Sequence, residues 1–549
     1  MSKLSPFRPE WVTLLTSVLL LGGYNLPLWR HLLDITPAGW SGRLLVGAFA
    51  LLLLVCFNLI LTLFAFRGVL KPVLGALLLL SAGVAYFMNQ YGVLIDVEML
   101  RNVLETDPSE VRDLLSFKLG AYLLLLGALP VALLWRLPIA YRPWPRELLS
   151  KAGVGVASML MIGGIALGNY QGLSSMLRNH HELRFQITPS NTVGALFSLA
   201  KGKTVASHAP LRPVASDAER SASWRAHPRK SLTVLVVGES ARAENFALNG
   251  YGRDTNPRLS AEQGVINFSD VHSCGTETAV SVPCMFSDLT RQHYSDSEAK
   301  SQEGLLDVLK RAGFQVLWRD NQSGCKGTCD RVSFQDMSHS KDLALCGDGE
   351  CHDEILLKDL QAYIDGLDRD TVLVLHQMGS HGPAYYKRYP KDFEKFTPVC
   401  QSNDLSACSR DSIVNGYDNT VLYTDHVLAN LIDLLRSNQS KLDTAMIYMA
   451  DHGESLGEYN LFLHGTPYVL APDQQKHVGM LAWFSEGYQQ SFALDGACLR
   501  QHSAQPLSQD NLFHSMLGLL EVRTRTYNAG LDMFAGCREP SVRQALAFD

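Results

Sequence analysis

Charged residues are scarce in the first third of this chain of 549 residues. The first 177 residues carry 13 Lys and Arg and 9 Asp and Glu, whereas the remaining 372 carry 35 and 45. Because one globular domain does not divide its charge in this way, we expect at least two domains. The chain also lacks a basic tract, and its net charge of −6 argues against a nucleic acid partner. The composition excludes a disordered chain, a collagen and a small disulfide-bonded miniprotein.

Five stretches of the first third contain no Asp, Glu, Lys or Arg. They are 17 to 26 residues long and cover Trp11–Trp29, Leu44–Phe66, Pro72–Ile95, Leu119–Trp135 and Ala152–Leu177. About 20 apolar residues cross a bilayer as a helix, so each stretch is long enough or nearly so. One such stretch is also typical of a buried core helix, but five in series predict a transmembrane domain over residues 1–177. The first stretch is too long for a cleaved signal peptide, and no small-residue cleavage pattern follows it.

The basic residues predict how these spans are oriented. They precede the first span and separate the second from the third and the fourth from the fifth: Lys3, Arg8, Arg67, Lys71, Arg136, Arg142, Arg146 and Lys151. The segment between the third and fourth spans is net acidic instead. By the positive-inside rule, the N-terminus is cytoplasmic. Five crossings then carry everything after about residue 178 to the other side of the membrane.

The cysteines are nearly absent from the first third, where Cys56 stands alone. The other ten are Cys274, Cys284, Cys325, Cys329, Cys346, Cys351, Cys400, Cys408, Cys498 and Cys537. An even number, mostly in couples close in sequence, favours disulfides in an oxidising compartment. Thiolate zinc sites are the alternative, but the spacings are irregular. The simplest pairing joins nearest neighbours and leaves Cys498 with Cys537.

The rest of the chain has a different pattern. Residues 178–230 predict a bridging helix, which begins near Ser190, and a linker rich in proline and small polar residues. From residue 231 to 549, short β-branched runs alternate with helical patterns; the runs are Leu232–Val237, Phe314–Trp318, Thr371–Leu375, Ala445–Met449 and Val478–Phe484. This alternation predicts an α/β domain whose mostly parallel sheet is covered on both faces. In such sheets ligands bind beyond the carboxyl ends of the strands.

Acidic and imidazole side chains recur at these strand ends. Glu239 follows the first run, His381 lies five residues after His376, and Asp451 and His452 follow the fourth run. His464 comes shortly afterwards. A lone Glu after a strand is usually solvated, and a lone Asp-His pair usually lies on the surface. Several such turns in one sheet instead predict a metal site, and carboxylate with imidazole suits Zn²⁺.

A turn with several hydroxyl groups, Ser273–Cys284, indicates where a nucleophile could lie. The turn runs from Ser-Cys-Gly-Thr-Glu-Thr into a helical pattern. A hydroxyl at a helix N-terminus faces free backbone N–H groups, which favour an anionic phosphate. Zinc would lower the pKa of that hydroxyl. A plain threonine N-cap is the structural alternative.

Four motifs together resemble a known family. They are Val-Val-Gly-Glu-Ser-Ala-Arg (236–242), Ser-Cys-Gly-Thr-Glu-Thr-Ala (273–279), Gly-Ser-His-Gly-Pro (379–383) and Ala-Asp-His-Gly-Glu-Ser (450–455). The chain resembles the inner-membrane phosphoethanolamine transferases that modify lipid A, relatives of the mobile colistin-resistance enzymes. The resemblance covers essentially the whole chain. It implies five transmembrane helices followed by a periplasmic catalytic domain of the alkaline-phosphatase/sulfatase-like fold.

The resemblance also implies roles for individual residues. Thr278 would be the nucleophile, with Thr276 as the near alternative. The implied zinc ligands are Glu239, Thr278, Asp451 and His452; Lys326, His381 and His464 would bind substrate phosphate, the two histidines alternatively a second zinc. Asn102, Thr106 and Glu110 would contact the donor headgroup, and their spacing puts them on one helical face.

The implied reaction transfers phosphoethanolamine from phosphatidylethanolamine to a lipid A phosphate through a covalent threonine intermediate. This would lower the negative charge of the cell surface and give resistance to polymyxin and cationic peptides. We expect a monomer in the bacterial inner membrane. Core heptose or a periplasmic glycan as acceptor, a phosphoglycerol donor, and a metal-dependent phosphatase or sulfatase remain alternatives. A transporter or sensor is disfavoured because all five spans lack charged residues.

Overall fold

The computed structural model describes residues 6–36, 39–105, 111–112, 114–180, 183–206, 211–347, 349–403, 405–540 and 546. Two compact units divide the chain. The first comprises Met1–Leu100 with Leu115–Leu199, and the second comprises Arg101–Leu114 with Ala200–Asp549. Residues 101–114, the middle of the segment between the third and fourth predicted spans, therefore belong to the second unit, together with the residues of the α/β domain.

The first unit is helical. The helices from the start of the described chain to the bridging helix are α1 Pro9–Tyr24, α2 Leu26–Ile35, α3 Trp40–Leu63, α4 Leu70–Tyr91, α5 Val97–Glu105, α6 Phe117–Arg136, α7 Trp144–Gly168, α8 Tyr170–Asn179, α9 Leu183–Gln186 and α10 Ser190–Ala206. The boundary between the two units falls within α5, after Leu100. Among the described residues, α3, α4, α6 and α7 are each long and apolar enough to cross a membrane, and the bent pair α1 and α2 adds a fifth if it forms one span. The predicted series of apolar spans is confirmed as four or five.

The first predicted span, Trp11–Trp29, is not one straight helix. It bends by 67° between α1 and α2, at Asn25. Pro27 in the first turn of α2 has no N–H to continue the helical hydrogen bonds. The buried amide of Asn25 instead donates to the carbonyl oxygens of Leu20 and Thr188, at 2.9 and 2.8 Å. The break is therefore stabilised by side-chain hydrogen bonds.

The last membrane helix begins and ends earlier than the predicted span, Ala152–Leu177. Helix α7 begins eight residues earlier, at Trp144, and ends at Gly168, after which α8 begins. The predicted span begins only at Ala152 because it was defined as a stretch without charged residues. In the structure Glu147 and Lys151 lie within α7 and pair one turn apart, at 2.6 Å between Oε1 and Nζ. This pairing allows both charges to lie in the first turns of an otherwise apolar helix.

A seven-stranded sheet organises the second unit. Its strands are β1 Lys230–Gly238, β2 Ile266–Phe268, β3 Gln315–Asp320, β4 Ser333–Asp336, β5 Thr371–His376, β6 Leu442–Ala450 and β7 Met480–Phe484. The spatial order is β2-β7-β6-β1-β5-β3-β4. All neighbours from β6 to β4 pair in parallel, whereas β7 pairs antiparallel with both β6 and β2. The predicted mostly parallel sheet is confirmed; the short outer strands β2 and β4 were not predicted.

Helices and small sheets complete this unit. The helices are α11 Pro257–Ala261, α12 Thr278–Met285, α13 Asp296–Ala299, α14 Leu305–Arg311, α15 Leu360–Asp365, α16 Arg410–Ser437, α17 Glu486–Ser491, α18 Gly496–His502 and α19 Asp510–Leu519. Two-stranded sheets join Glu219–Arg220 to Val522–Arg523, Val271–His272 to Leu507–Ser508, Cys346–Gly347 to Glu350–Cys351 and Ser455–Leu456 to Phe462–Leu463.

The parallel strands bring the predicted strand-end residues to one edge of the sheet. Ala450, the last residue of β6, pairs with Gly238, the last residue of β1. On the other side of β1, Val237 pairs with His376 at the end of β5. The residues that follow these strands therefore lie side by side, although more than two hundred residues separate those after β1 from those after β6.

Candidate functional site

A carboxylate and imidazole cluster lies at the carboxyl ends of β1 and β6. Glu239, Asp451 and His452 are fully buried, and one ligand atom from each lies within 4.8 Å of the others. His452 Nε2 is 3.3 Å from Glu239 Oε1 and 3.4 Å from Asp451 Oδ2. The structure thus brings together three of the predicted zinc ligands.

Thr278, the first residue of α12, completes this cluster. Its hydroxyl donates to Glu239 Oε2 at 2.9 Å and lies 3.3 Å from His452 Nε2. The Thr276 hydroxyl has a different partner, since it donates to the carbonyl oxygen of Thr466 at 2.7 Å. Of the two candidate hydroxyls, only that of Thr278 reaches the buried carboxylate.

Electrostatics show that the cluster fits a cation. Burial and the charge of Glu239 raise the pKa of Asp451 to about 7. Burial also acts to raise the pKa of Glu239, but the neighbouring His452, His381 and His464 outweigh it and hold this pKa below its ordinary range. Asp451 Oδ2 is buried and has no hydrogen-bond partner among the described residues. Two close buried carboxylates repel each other unless a positive charge lies between them, so the donor set fits a bound divalent metal such as zinc.

A second group lies beside the first. His452, Glu454 and His464 are buried, with ligand atoms within 4.8 Å of one another. His464 Nδ1 is 2.8 Å from Glu454 Oε2, and the Tyr385 hydroxyl donates to Glu454 Oε1 at 2.6 Å. Burial raises the pKa of Glu454 to about 8, and burial together with His452 lowers that of His464 to about 3.

The composition of this second group differs from the sequence-based expectation. The resemblance implies His381 and His464 as ligands of substrate phosphate or of a second zinc. The structure groups His464 with His452 and Glu454, and the His381 ring lies 5.4 Å from the His464 ring, centroid to centroid. Glu454 was missed although it belongs to the quoted Asp-His-Gly-Glu turn. Its position two residues after His452 was the available signal.

Lys326 lies on the loop that follows β3. Its Nζ donates to the Ser323 hydroxyl at 2.8 Å, and both residues line a cavity of about 520 Å³. The same loop reaches the metal-binding cluster, because the Gln322 amide donates to Glu239 Oε2 at 2.7 Å. Asp320 anchors the loop by accepting from the backbone N–H of Gly324 at 2.9 Å. Sequence reasoning did not single out Gln322, since a lone glutamine carries no pattern.

The predicted donor contacts cannot be placed in the same way. Thr106 and Glu110 lie outside the described residues. Asn102 lies in α5, and its side chain is likewise outside the described part of the chain.

The ten cysteines after the first third form five disulfides, as predicted. The pairs are Cys274–Cys284, Cys325–Cys329, Cys346–Cys351, Cys400–Cys408 and Cys498–Cys537. The first joins the turn before Thr278 to the end of α12. A short closed loop of this kind restricts the unfolded chain and so stabilises the turn.

Gly453 is expected to tolerate no side chain. A Cβ there would lie 2.0 Å from the carbonyl oxygen of Gln474, a backbone atom. Gly453→Ala should therefore displace the turn that carries Asp451 and His452. We expect a loss of about 1–3 kcal/mol in the free energy of unfolding, measured by denaturation. The rate of the phosphoethanolamine transfer that the resemblance implies should fall at least about 10-fold.

Gly252→Ala is the matched control, since among the described residues no atom beyond the two chain neighbours of Gly252 lies within 4 Å of its Cβ position. It should change the free energy of unfolding by less than about 0.5 kcal/mol. Equal effects of the two substitutions would contradict the steric explanation.

Comparison with known proteins agrees with both units. The family described as "Sulfatase" matches residues 231–522, and that described as "Phosphoethanolamine transferase EptA/EptB" matches residues 53–204. Phosphoethanolamine transferase EptA of Escherichia coli (strain K12) is 42% identical over 547 residues, which cover 97% of this chain and 98% of the relative. Phosphatidylethanolamine transferase Mcr-1 of Escherichia coli is 40% identical over 427 residues, 76% of this chain and 79% of the relative. The structure of the integral membrane protein lipooligosaccharide phosphoethanolamine transferase A from Neisseria meningitidis superposes with a TM-score of 0.94 at 35% identity, covering 98% of this chain and 100% of the other.

Proposed function

This chain belongs to the phosphoethanolamine transferase EptA family, and on that premise we propose that it transfers phosphoethanolamine from phosphatidylethanolamine to a phosphate of lipid A. The nucleophile is Thr278. The observation that carries this assignment is the contact of the Thr278 hydroxyl with Glu239 and His452 in a buried cluster. A threonine that served only as a helix cap would not need two ionisable partners.

Glu239, Thr278, Asp451 and His452 would hold a zinc ion. When bound, zinc lowers the pKa of a coordinated hydroxyl and neutralises charge that develops on the phosphoryl oxygens. The second group, His452, Glu454 and His464, together with His381, binds the substrate phosphate or a second zinc. The two groups share His452.

The residues of the chain orient the reaction. Glu239 accepts the hydrogen bond of Thr278 and so fixes the direction of its Oγ1. Oγ1 attacks the phosphorus of phosphatidylethanolamine, the bond from phosphorus to the glycerol oxygen breaks, and diacylglycerol leaves with a proton. The first backbone N–H groups of α12 have no partners within the helix and favour the phosphoryl anion at Thr278. An oxygen of a lipid A phosphate then attacks the same phosphorus and releases Thr278.

The cavity beside Lys326 would receive the donor headgroup. Lys300, Lys326 and Arg331 line it together with Phe286. The loop that lines this cavity through Ser323 and Lys326 also carries Gln322, whose amide donates to Glu239 Oε2. We further propose that Asn102, Thr106 and Glu110 contact the donor headgroup, as the resemblance implies. Residues 101–114 belong to the second compact unit, where Arg101 pairs with Asp296.

The membrane anchor is explained by the two lipid substrates. We place residues 1–177 in the bacterial inner membrane with a cytoplasmic N-terminus, 178–230 as the bridge, and 231–549 in the periplasm as the catalytic domain of a monomer. Five disulfides favour an oxidising compartment for that domain. Replacing phosphate charge with a zwitterionic group weakens the binding of cationic peptides, which gives polymyxin resistance.

The test follows labelled phosphatidylethanolamine in membranes of cells that express the full chain. We expect label in lipid A, detected by mass spectrometry as added phosphoethanolamine, and a higher tolerance to polymyxin. Cells that express Thr278→Ala are the matched control and should show neither.

Each other outcome identifies an alternative. Label found in core heptose or in a periplasmic glycan, with none in lipid A, would replace the acceptor. Release of free phosphoethanolamine without any labelled acceptor would indicate a hydrolase.

A further inference from the structure

Gln509 is a buried glutamine directly before α19, and only 1% of its surface is exposed. Both ends of its amide are hydrogen-bonded. Oε1 accepts from the backbone N–H of Cys274 at 2.7 Å, and Nε2 donates to the carbonyl oxygens of Ala450 and Asp451 at 2.8 and 2.6 Å. An amide nitrogen has two hydrogens, so this side chain uses every donor that it has.

These three bonds join two parts of the site. Cys274 lies in the turn that leads to Thr278, Ala450 is the last residue of β6, and Asp451, a predicted metal ligand, follows it. Gln509 is 235 residues from Cys274 and 58 from Asp451 in sequence. Its backbone N–H also donates to the carbonyl oxygen of His272, at 2.9 Å, just before the same turn.

Other hydrogen bonds of the turn have different partners. The backbone N–H of Ser273 donates to the carbonyl oxygen of Lys476, and the Thr276 hydroxyl donates to Thr466. They attach the turn to the loop that carries His464, whereas Gln509 attaches it to the end of β6. That loop is also bonded to the turn after β6, because Gln474 and Gln475 accept from the backbone N–H groups of Glu454 and Gly453. Gln509 joins the turn that bears Thr278 to the end of β6 directly.

We propose that Gln509 is a positioning residue, which holds the turn bearing Thr278 in register with Asp451 and His452. The inference rests on the proposed role of Thr278 as nucleophile. Gln509 touches neither substrate nor the reacting atoms, so it acts through the backbone that it joins. Displacing a nucleophile by about 1 Å costs up to about 100-fold in rate, whereas donor binding at the Lys326 cavity is unaffected.

The test uses Gln509→Glu in the purified full-length protein loaded with zinc. Glutamate has the same size and keeps an acceptor for Cys274, but it turns an oxygen toward the two carbonyl groups. We expect kcat to fall about 10- to 100-fold, with KM for phosphatidylethanolamine within about twofold. Zinc content should stay unchanged, and the amount of phosphoethanolamine on Thr278 after one turnover should fall by the same factor as kcat. Gln509→Leu, which removes all three bonds, should have a larger effect; if it does not fold, Gln509→Glu still decides.

Asn438→Leu is the matched control. Asn438 is also buried, and its amide donates to the carbonyl oxygen of Leu434 at 2.9 Å and exchanges hydrogen bonds with Gln361. It precedes the first residue of β6, at the end of the strand away from the site. Asn438→Leu should lower Tm as Gln509→Glu does but leave kcat within about twofold.

Three results would overturn the proposal. They are a kcat within twofold of wild type for Gln509→Glu, loss of zinc from Gln509→Glu, and an equal loss of kcat in Asn438→Leu. Activity retained by Thr278→Ala would instead overturn the proposed nucleophile, whatever Gln509 does.

Discussion

Replacing Thr278 with alanine is expected to lower transfer on the order of 10⁴-fold or more, because no other hydroxyl among the described residues contacts both Glu239 and His452. The covalent adduct should disappear as well. Incubation with labelled phosphatidylethanolamine, followed by mass spectrometry of peptide fragments, measures both effects. The fold should persist, since the substitution removes one methyl and one hydroxyl group at a helix start.

Two controls separate this chemistry from stability. Thr278→Ser keeps the hydroxyl and should retain measurable transfer. Thr276→Ala removes only the hydrogen bond to Thr466, which contributes about 1 kcal/mol to stability, and should reduce transfer far less. If Thr276→Ala abolished the adduct while Thr278→Ala kept it, the assignment of the nucleophile would be reversed.

Removal of the metal should have the second-largest effect. Chelation is expected to lower transfer at least about 10³-fold, with recovery on adding zinc, because Thr278 then lacks the charge that activates its hydroxyl. Bound metal should also raise the free energy of unfolding, by about 2.7 kcal/mol at a concentration one hundred times its dissociation constant. Metal content, transfer and thermal unfolding are measured on the same samples.

Asp451→Asn is expected to weaken zinc binding without destabilising the metal-free protein. It removes a ligand, so zinc affinity and transfer should fall. It also removes one of two close buried carboxylates, so the metal-free protein should be at least as stable as metal-free wild type. A large loss of stability in the metal-free variant, with zinc binding unchanged, would show that Asp451 is a structural residue and not a ligand.

Much of the architecture could be predicted because it depends on local periodicity. Apolar stretches free of charge indicated the membrane helices, and short β-branched runs indicated the central strands. The errors also have physical causes. The alternating pattern predicts helices between the strands but not where they end, and α16 extends from Arg410 to Ser437. The helical pattern is interrupted in the first half because buried polar residues there make specific hydrogen bonds, such as that from the Tyr417 hydroxyl to the Ser240 carbonyl oxygen.

The sequence by itself determined that the chain has a membrane-spanning part and an α/β part, that acidic and imidazole residues follow the strands, and that its cysteines pair. These properties depend on composition, short spacing and the common direction of parallel strands. Only the tertiary structure brought the Thr278 hydroxyl, and not that of Thr276, against Glu239, grouped Glu454 with His452 and His464, and revealed the hydrogen bonds of Gln322 and Gln509. A hydroxyl or an amide acquires such a role from partners that are distant in sequence, and chain folding alone sets those distances.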